Sequence, residues 1–327
     1  MVTLNWSHSV IDMTNPLPII IDCDPGQDDA VMLLLAMASP ELRILGVTTV
    51  AGNVPLPLTE RNARIMCDLA GRKDMPVFAG CSQPLHRELV TAEHVHGRTG
   101  IDGVEIFEPG TPLQKIHAVD FIINTLKSAE PDSITIVPIG PLSNIGMAIE
   151  RAPEILPKIH QIVLMGGAMR EGGNISASAE FNIYVDPEAA EIVLKCGRPI
   201  VVVPLDATHQ VLVSKERVER LKTLNSAVAK AIVGMLDFFN RYDTEKYGFE
   251  GAPLHDPCTI AWLLQPDLFK GKLCNIEVET QSELTRGHTA VDFWQVTGRE
   301  PNALFLYEAD AKGFFDLLYQ RLSHYEN

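Results

Sequence analysis

Four carboxylates lie within eight residues near the start of the chain, at Asp22, Asp24, Asp28 and Asp29. They follow a short apolar run and flank a tight turn at Pro25-Gly26, after which a longer apolar run begins. Carboxylates this close repel one another unless a cation neutralises them or one of them takes up a proton. Ca²⁺ and Mg²⁺ prefer oxygen ligands, so these residue types predict a site for a hard cation.

Two other interpretations of this stretch are open. Asp24 has the character of a helix N-cap, and the positive end of the helix dipole would favour acids at Asp28 and Asp29. The spacing of Asp22 and Asp24 also matches the Asp-x-Asp nucleophile loop of phosphatases of the haloacid dehalogenase type. A helix cap needs only one acid, however, and the adjacent pair of acids that follows is not part of the phosphatase pattern.

A second group of polar residues lies in the Gly- and Ser-rich stretch 171–190. Asn174, Glu180 and Asn182 carry amide and carboxylate groups that form hydrogen bonds with hydroxyls, so this spacing favours recognition of a sugar. Asp186 is different, because Pro187 follows it directly. That pair is typical of a helix N-cap with proline in the first turn.

Three histidines are further candidates for chemistry. His255 lies next to Asp256, which precedes a proline as an N-cap would, but whose carboxylate could also point at a cation. His255 could then reach a leaving group. His96 lies in a long irregular segment at 81–111, where it could form a transition-metal pair with His94, although two histidines without a third ligand are weak evidence, or occupy a solvated loop position. We interpret His209 as structural rather than chemical.

Strand-like apolar runs begin near residues 17, 42, 76, 133, 160 and 198, with helical patterns between most of them. This alternation predicts an α/β fold with a mostly parallel, Rossmann-like open sheet flanked by helices. Residues after the strands, such as Asn53, would meet at the carboxyl edge, where such sheets bind ligands. The carbonyl of Ile139, beside Gly140-Pro141, is a candidate cation ligand there. We expect one domain at 17–327 after a loose N-terminal leader at 1–16.

The composition limits the possible partners. The 327 residues carry a net charge of −15 and contain no basic block, so nucleic acid and anionic membranes are poor partners. The six cysteines form no C-x-x-C pair, which favours free thiols in a reducing cytoplasm. The longest apolar run, at 30–38, is about half of the ~20 residues that a membrane-spanning helix needs.

The stretch DCDPGQDD at 22–29 resembles the signature of the nucleoside hydrolase family of the inosine-uridine preferring type, and the similarity extends from Ile19 to the C-terminus. The resemblance implies hydrolysis of the N-glycosidic bond of a ribonucleoside to free base and ribose. It also implies a Ca²⁺ ion held by three carboxylates and one carbonyl, with Asp24 taking a proton from a calcium-bound water. The implied ligands are Asp24, Asp29, Ile139 and Asp256.

The resemblance extends to the substrate contacts. The residues implied to surround the ribose are Asp28, Asn53, Asn174, Glu180 and Asn182. His96 would face the substrate, and His96 or His255 would assist the leaving base. The segment 241–253 has the composition of a lid loop, in which Tyr242, Tyr247 and Phe249 would stack on the base. An exposed linker is the alternative for that segment.

The segment GFEGAPLHDPCTIAWLL at 248–264 is most similar to the pyrimidine-specific ribonucleoside hydrolases. It implies uridine and cytidine as favoured substrates and leaves purine nucleosides open. The resemblance also implies a role in nucleoside salvage and a homotetramer or homodimer. A haloacid dehalogenase-type phosphatase and a non-catalytic nucleoside sensor remain the alternative functions.

Overall fold

The central feature of the fold is a parallel sheet built from the predicted strand runs. The computed structural model describes residues 15–248 and 250–326, with the backbone alone for 242–247. The strands are β1 Leu17–Cys23, β2 Leu42–Thr49, β3 Val77–Ala79, β4 Ile134–Pro138, β5 Ile159–Met165, β6 Ile200–Val203, β7 Phe269–Cys274, β8 Ile276–Val278, β9 Thr289–Val291 and β10 Ala303–Ala309.

Helices connect these strands and cover the sheet. They are α1 Gln27–Met37, α2 Leu56–Leu69, α3 Glu93–His96, α4 Ala118–Ser128, α5 Ser143–Arg151, α6 Phe181–Val185, α7 Pro187–Leu194, α8 Leu205–Thr208, α9 Lys215–Lys222, α10 Ala227–Tyr247, α11 Pro257–Leu264 and α12 Ala311–Leu322. Short 3₁₀ turns occur at Pro153–Lys158, Pro266–Leu268 and Ser323–Glu326. No helix among the described residues has both the length and the apolar character that a bilayer-spanning segment requires.

Within the described residues, the main sheet has eight strands in the order β3-β2-β1-β4-β5-β6-β10-β7. All neighbours pair in parallel except β10 and β7, which are antiparallel at one edge. The predicted mostly parallel, Rossmann-like open sheet is therefore confirmed. β8 and β9 form a separate antiparallel pair outside this sheet.

The core occupies both faces of the sheet. One apolar cluster joins the sheet to α1, α2, α10, α11 and α12, and a second joins it to α4, α5 and α7. α1 is buried at every position from Gln27 to Ala36, which explains why its sequence is apolar all round rather than on one stripe. Each fully buried Leu or Val there stabilises the fold by about 1.5–3 kcal/mol. α1 is therefore a rigid support for the acids at its start.

The predicted loop at 241–253 is wrong over its first half, because α10 continues to Tyr247. The stretch at 241–246 is rich in charged residues that tolerate a helix, and contains neither Gly nor Pro. Gly248 follows with a φ of +68°, the left-handed conformation with which helices commonly end. The side chains of Tyr242 and Tyr247, together with Phe249, lie outside the described part of the chain, so their stacking role stays a prediction.

The single domain predicted at 17–327 also stays a prediction. Most of the leader predicted at 1–16 lies outside the described residues. Each of the six cysteines is a free thiol, and all but Cys196 are buried.

Candidate active site

The site lies where the order of the strands reverses. β1 pairs with β2 on one side and with β4 on the other, so the carboxyl ends of these strands meet. Asp24 follows β1 and Ile139 follows β4, and the Ile139 N–H donates to the carbonyl of Asp22 over 2.8 Å. A crevice at this point of an open α/β sheet is the usual ligand site.

Three carboxylates converge at this edge. Oxygens of Asp28, Asp29 and Asp256 lie within 4.8 Å of one another, and all three residues are buried. Burial, and then the charges of Asp28 and Asp29, raise the pKa of Asp256 well above its ordinary value. Burial likewise raises the pKa of Asp29. The cluster is therefore costly while ionised and would be relieved by a cation bound to its oxygens.

Asp24 lies beside this trio and is held differently. Its Oδ2 accepts a hydrogen bond from the Asn53 N–H over 2.7 Å, whereas Oδ1 is buried without a hydrogen-bond partner among the described residues. Burial, and then the charge of Asp29, raise the pKa of Asp24 well above its ordinary value. A Cβ at Gly52 or at Gly140 would collide with this carboxylate. The two glycines therefore leave space for the acid.

Asp29 orders the turn at the start of α1. Its carboxylate accepts from the N–H groups of Asp24 and Gly26, over 3.1 and 2.9 Å, and from the Asn53 side-chain amide over 3.1 Å. Gly26 is the N-cap of α1, so the alternative of Asp24 as N-cap is wrong. Asp256 does stand at the N-cap of α11, but its side chain makes no capping hydrogen bond there. Its carboxylate therefore does not cap the helix.

The polar residues of the stretch 171–190 reach the same pocket. Asn182 donates from its amide to the carbonyls of Ile139 and Met165, over 2.8 and 3.2 Å. The carboxylate of Glu180 accepts from the N–H groups of Gly167, Asn182 and Ile183. Burial raises the pKa of Glu180 to about 7. These bonds fix both side chains in the pocket wall.

Asn174 accepts at its Oδ1 from the Phe181 N–H over 2.9 Å, which ties the loop to the start of α6. Asp186 caps α7 by accepting from the Ala189 N–H over 3.1 Å. The N-cap predicted at Asp186 is therefore confirmed.

His96 and His255 also line this pocket. His96 is only 7% exposed, so its alternative as a solvated loop residue is wrong. Its ring stacks on Phe239 of α10 with centroids 5.5 Å apart. His255 is half-buried, and its Nδ1 lies 2.7 Å from the hydroxyl oxygen of Thr208. Burial, first of all, lowers the pKa of both histidines, that of His96 to about 3.

These groups enclose one pocket with about 730 Å³ of empty space, which includes its open mouth. Of the site residues predicted from the sequence, those that line the pocket are Asp28, Asn53, His96, Ile139, Asn174, Glu180, Asn182, His255 and Asp256. Asp24 and Asp29 adjoin them and are 0% and 1% exposed. We call the part formed by Asp24, Asp28, Asp29 and Asp256 the acidic end, and the part formed by His96, His209 and His255 the histidine end.

Sequence reasoning missed several residues of this pocket. His209, interpreted as structural, lines it and pairs with Glu171 over 2.8 Å. Phe239 also lines it, although nothing in the pattern of α10 separates it from the core residues of that helix. Thr208 gave no signal either, because its contact with His255 joins residues far apart in the chain. Such contacts depend on tertiary packing rather than on local sequence.

An open parallel sheet with buried acids and a polar pocket at its switch point defines the class of the protein: an α/β enzyme that binds a small polar ligand. A family model described as inosine-uridine preferring nucleoside hydrolase matches residues 19–316. The pyrimidine-specific ribonucleoside hydrolase RihA of Photobacterium profundum is 49% identical over 309 residues, covering 94% of this chain and 99% of that protein. An uncharacterised protein of Schizosaccharomyces pombe is 52% identical over 306 residues, with the same coverage.

Solved structures agree with these relatives. The plant nucleoside hydrolase PpNRh1 has a TM-score of 0.89 and 33% identity. A purine-preferring ribonucleoside hydrolase from Gardnerella vaginalis has a TM-score of 0.88, also at 33% identity. Both matches cover 94% of this chain and 99% of the other. The chain belongs to the inosine-uridine preferring nucleoside hydrolase family. It is a ribonucleoside hydrolase that acts on the N-glycosyl bond.

Proposed function

We propose that this enzyme hydrolyses pyrimidine ribonucleosides such as uridine and cytidine to the free base and ribose, with Ca²⁺ at the acidic end of the pocket. The observation that carries the substrate class is the identity of 48–49% to hydrolases named pyrimidine-specific, which extends over 94% of the chain. The pocket is lined by carboxylates and amides together with the rings of His96, Phe181 and Phe239, which supports a ligand with a sugar and a base.

The acidic end fits a hard cation on its own geometry. All its donors are oxygens, three carboxylates meet within 4.8 Å, and a further buried oxygen, Oδ1 of Asp24, has no partner among the described residues. We propose Asp24, Asp29, Asp256 and the Ile139 carbonyl as ligands. Asp28, which converges with Asp29 and Asp256, would be a neighbour of the ion or a further ligand. Bound Ca²⁺ would supply positive charge that orients the ribose diol and a water molecule and makes that water more acidic.

Asp24 is the proposed general base. Its carboxylate takes a proton from the attacking water as the water oxygen forms a bond to the anomeric carbon. The bond between that carbon and the base nitrogen breaks, and its electron pair leaves with the base. The Asn53 N–H, 2.7 Å from Oδ2, holds the carboxylate in one orientation for this transfer.

The ribose would be held by Asp28, Asn53, Asn174, Glu180 and Asn182. The side chains of Asn174, Glu180 and Asn182 are fixed by backbone contacts, so these three need little ordering when hydroxyls bind. Negative charge around the sugar would also stabilise the positive charge that develops on it as the glycosidic bond breaks.

His255 is the proposed group that assists the leaving base. Thr208 engages its Nδ1, so Nε2 is the ring nitrogen that can meet a bound nucleoside. Because burial lowers the pKa of this histidine, it would be neutral at pH 7 and would act by donating from Nε2–H. Tyr242 and Tyr247 remain candidates to cover the base.

The resemblance to the nucleoside hydrolase family also supports three less specific proposals. We propose that the enzyme works in the cytoplasm, serves nucleoside salvage and forms a homo-oligomer, either a tetramer or a dimer. A single domain over 17–327 is consistent with the span of the family match at 19–316.

One product assay tests the proposed function. Purified enzyme with Ca²⁺ is incubated with uridine, cytidine, inosine or 2′-deoxyuridine, and free base and free sugar are measured. We expect rapid release from uridine and cytidine, slow release from inosine, and slow release from the 2′-deoxy substrate, which lacks the diol. Preferred cleavage of inosine would favour instead the purine specificity named for the Gardnerella vaginalis enzyme.

A further inference from the structure

Gln27, the first residue of α1, has a side-chain amide whose direction is determined by its neighbours. Its Nε2 donates to the carbonyl of His96 over 2.9 Å and to the carbonyl of Asp102 over 3.2 Å. Carbonyl oxygens only accept, so the NH₂ group must face them. The other end of the amide, Oε1, then lies 2.7 Å from Nδ1 of His96.

This arrangement determines which nitrogen of His96 carries the proton. An amide oxygen only accepts, so Nδ1 must be the donor. A neutral imidazole has one N–H, and Nε2 is therefore left with a lone pair. Burial lowers the pKa of His96 to about 3, which keeps the ring neutral at pH 7.

The His96 ring is also restrained from turning over. Phe239 stacks on it with an angle of 20° between the ring planes. On the Gln27 side the backbone is close: a Cβ added at Gly26 would stand 2.5 Å from Nδ1. His96 lines the pocket, so with Nδ1 engaged, Nε2 is the nitrogen available to a bound molecule.

We propose that Gln27 is a positioning residue that fixes His96 as a hydrogen-bond acceptor toward the bound nucleoside. His96 then receives an N–H or O–H of the substrate and contributes to its binding, and it does not protonate the leaving base. That donation falls to His255 alone among the two histidines proposed for it. The proposal rests on the proposed function for the identity of the ligand, but the protonation state of His96 is a property of the free enzyme.

The test begins with the free enzyme, without nucleoside. Protein labelled with ¹⁵N in its histidine rings is examined by NMR between pH 6 and pH 8, and the His96 signals are assigned by their loss in His96→Gln. We expect one protonated nitrogen, Nδ1, and one unprotonated nitrogen, Nε2, throughout this range. A wild-type spectrum with Nε2 protonated, or with both nitrogens protonated at pH 7, would overturn the proposal.

Variants of Gln27 test the cause. Gln27→Met removes the acceptor and should produce a mixture of the two His96 tautomers, whereas Gln27→Glu keeps an acceptor oxygen and should retain the Nδ1–H form. Gln320→Met, on the exposed part of α12, is the matched control and should leave the spectrum unchanged. A wild-type His96 spectrum in Gln27→Met would show that Gln27 does not set the tautomer and would also overturn the proposal.

Kinetics complete the test. Gln27→Met should raise KM for uridine about tenfold, the loss expected for one misaligned hydrogen bond, with a smaller change in kcat and none in the stoichiometry of bound Ca²⁺. If instead kcat falls by the same factor and KM is unchanged, His96 acts on the leaving base, contrary to the proposal. Absence of any nucleoside cleavage by the wild type would reject the proposed function and leave the NMR result standing.

Discussion

At the acidic end of the pocket, Asp24 and Asp29 are held largely by backbone N–H groups. At the histidine end, the rings of His96 and His255 are held by side chains. Gln27 engages His96, and Thr208 engages His255. A backbone N–H remains when the residue that carries it is substituted, whereas a side-chain donor or acceptor is lost. The backbone contacts of the acidic end therefore survive substitution except at Gly26, Gly52 and Gly140, where a side chain would collide with its neighbours. At the histidine end, substitution of Gln27 or Thr208 removes the contact with the ring.

His96 and His255 also differ in the chemistry of the side chain that holds each ring. The amide of Gln27 can only accept at the end that meets His96. The hydroxyl of Thr208 can either donate to His255 or accept from it. Thus one ring is fixed as an acceptor, while the other can change its tautomer by rotation of a hydroxyl, which suits a group that gives up and regains a proton.

The largest effect is expected at the acidic end, from Asp24→Asn. Loss of the general base should lower kcat by about 10³- to 10⁴-fold. The loss should be equal for uridine and for 4-nitrophenyl riboside, whose leaving group departs as a stable anion, because the water attacks in both. Asp120→Asn, which alters a surface ion pair with Arg151, is the control and should retain full activity. Near-normal turnover in Asp24→Asn would contradict the role proposed for this acid.

Removal of the cation should also act on both substrates. We expect a strong chelator to abolish activity and added Ca²⁺ to restore it. Asp256→Asn should weaken Ca²⁺ binding by at least about 10- to 100-fold, measured by titration calorimetry on metal-free protein. Unchanged affinity in Asp256→Asn would place the ion elsewhere. Restoration of activity by Mg²⁺ rather than by Ca²⁺ would support the same site with a different metal.

At the histidine end, a substitution should affect the cleavage of uridine and of 4-nitrophenyl riboside differently. Thr208→Val removes the hydroxyl at Nδ1 of His255, and we expect kcat for uridine to fall about tenfold. Cleavage of 4-nitrophenyl riboside should be nearly unchanged, since its leaving group needs no proton. Thr208→Ser keeps the hydroxyl and should restore uridine cleavage. Equal losses on both substrates would show that Thr208 supports the pocket and not the leaving base.

The smallest effect concerns stability. Burial raises the pKa of Glu180 to about 7, so the folded protein binds this proton more tightly than the unfolded chain, where the pKa is about 4.3. The contribution of Glu180 to the free energy of unfolding is then greatest below pH 4 and falls as the pH rises to 7. Metal-free wild type should therefore lose stability relative to Glu180→Gln between pH 5 and pH 8 in urea titrations. Exposed Glu150→Gln should show no such change, and parallel curves for wild type and Glu180→Gln would contradict the shift.

The acidic end was largely predictable from the sequence, and the histidine end was not. Asp24, Asp28 and Asn53 follow parallel strands, so the rule that strand ends meet at one edge was enough to bring them together. His255 and Asp256 could be nominated because they adjoin each other. The partners of the histidines come from elements that only the tertiary structure brings into contact, since Gln27 and His96 belong to different helices.

Local composition also misled at one place. Aromatic and charged residues with a glycine predicted a loop from 241, but α10 continues to Tyr247 through residues that tolerate a helix. Conversely, the DxDPGxDD turn can be identified from the sequence, because its acids, proline and glycine all act within a few residues. A motif that is complete within one turn can be identified from the sequence. A pocket assembled across a sheet can be predicted only in part.

The position of β10 has a consequence for the synthesis of this protein. Gln210 ties the end of α8 to β10 by donating to the Tyr307 carbonyl and accepting from the Ala309 N–H, over 3.0 and 3.1 Å. β10 follows β7 in the chain, yet it separates β6 from β7 in the sheet. A nascent chain without it lacks the support of the segment that carries Thr208. The contacts of Gln210 therefore form only after synthesis has passed Ala309, whose N–H donates to this side chain.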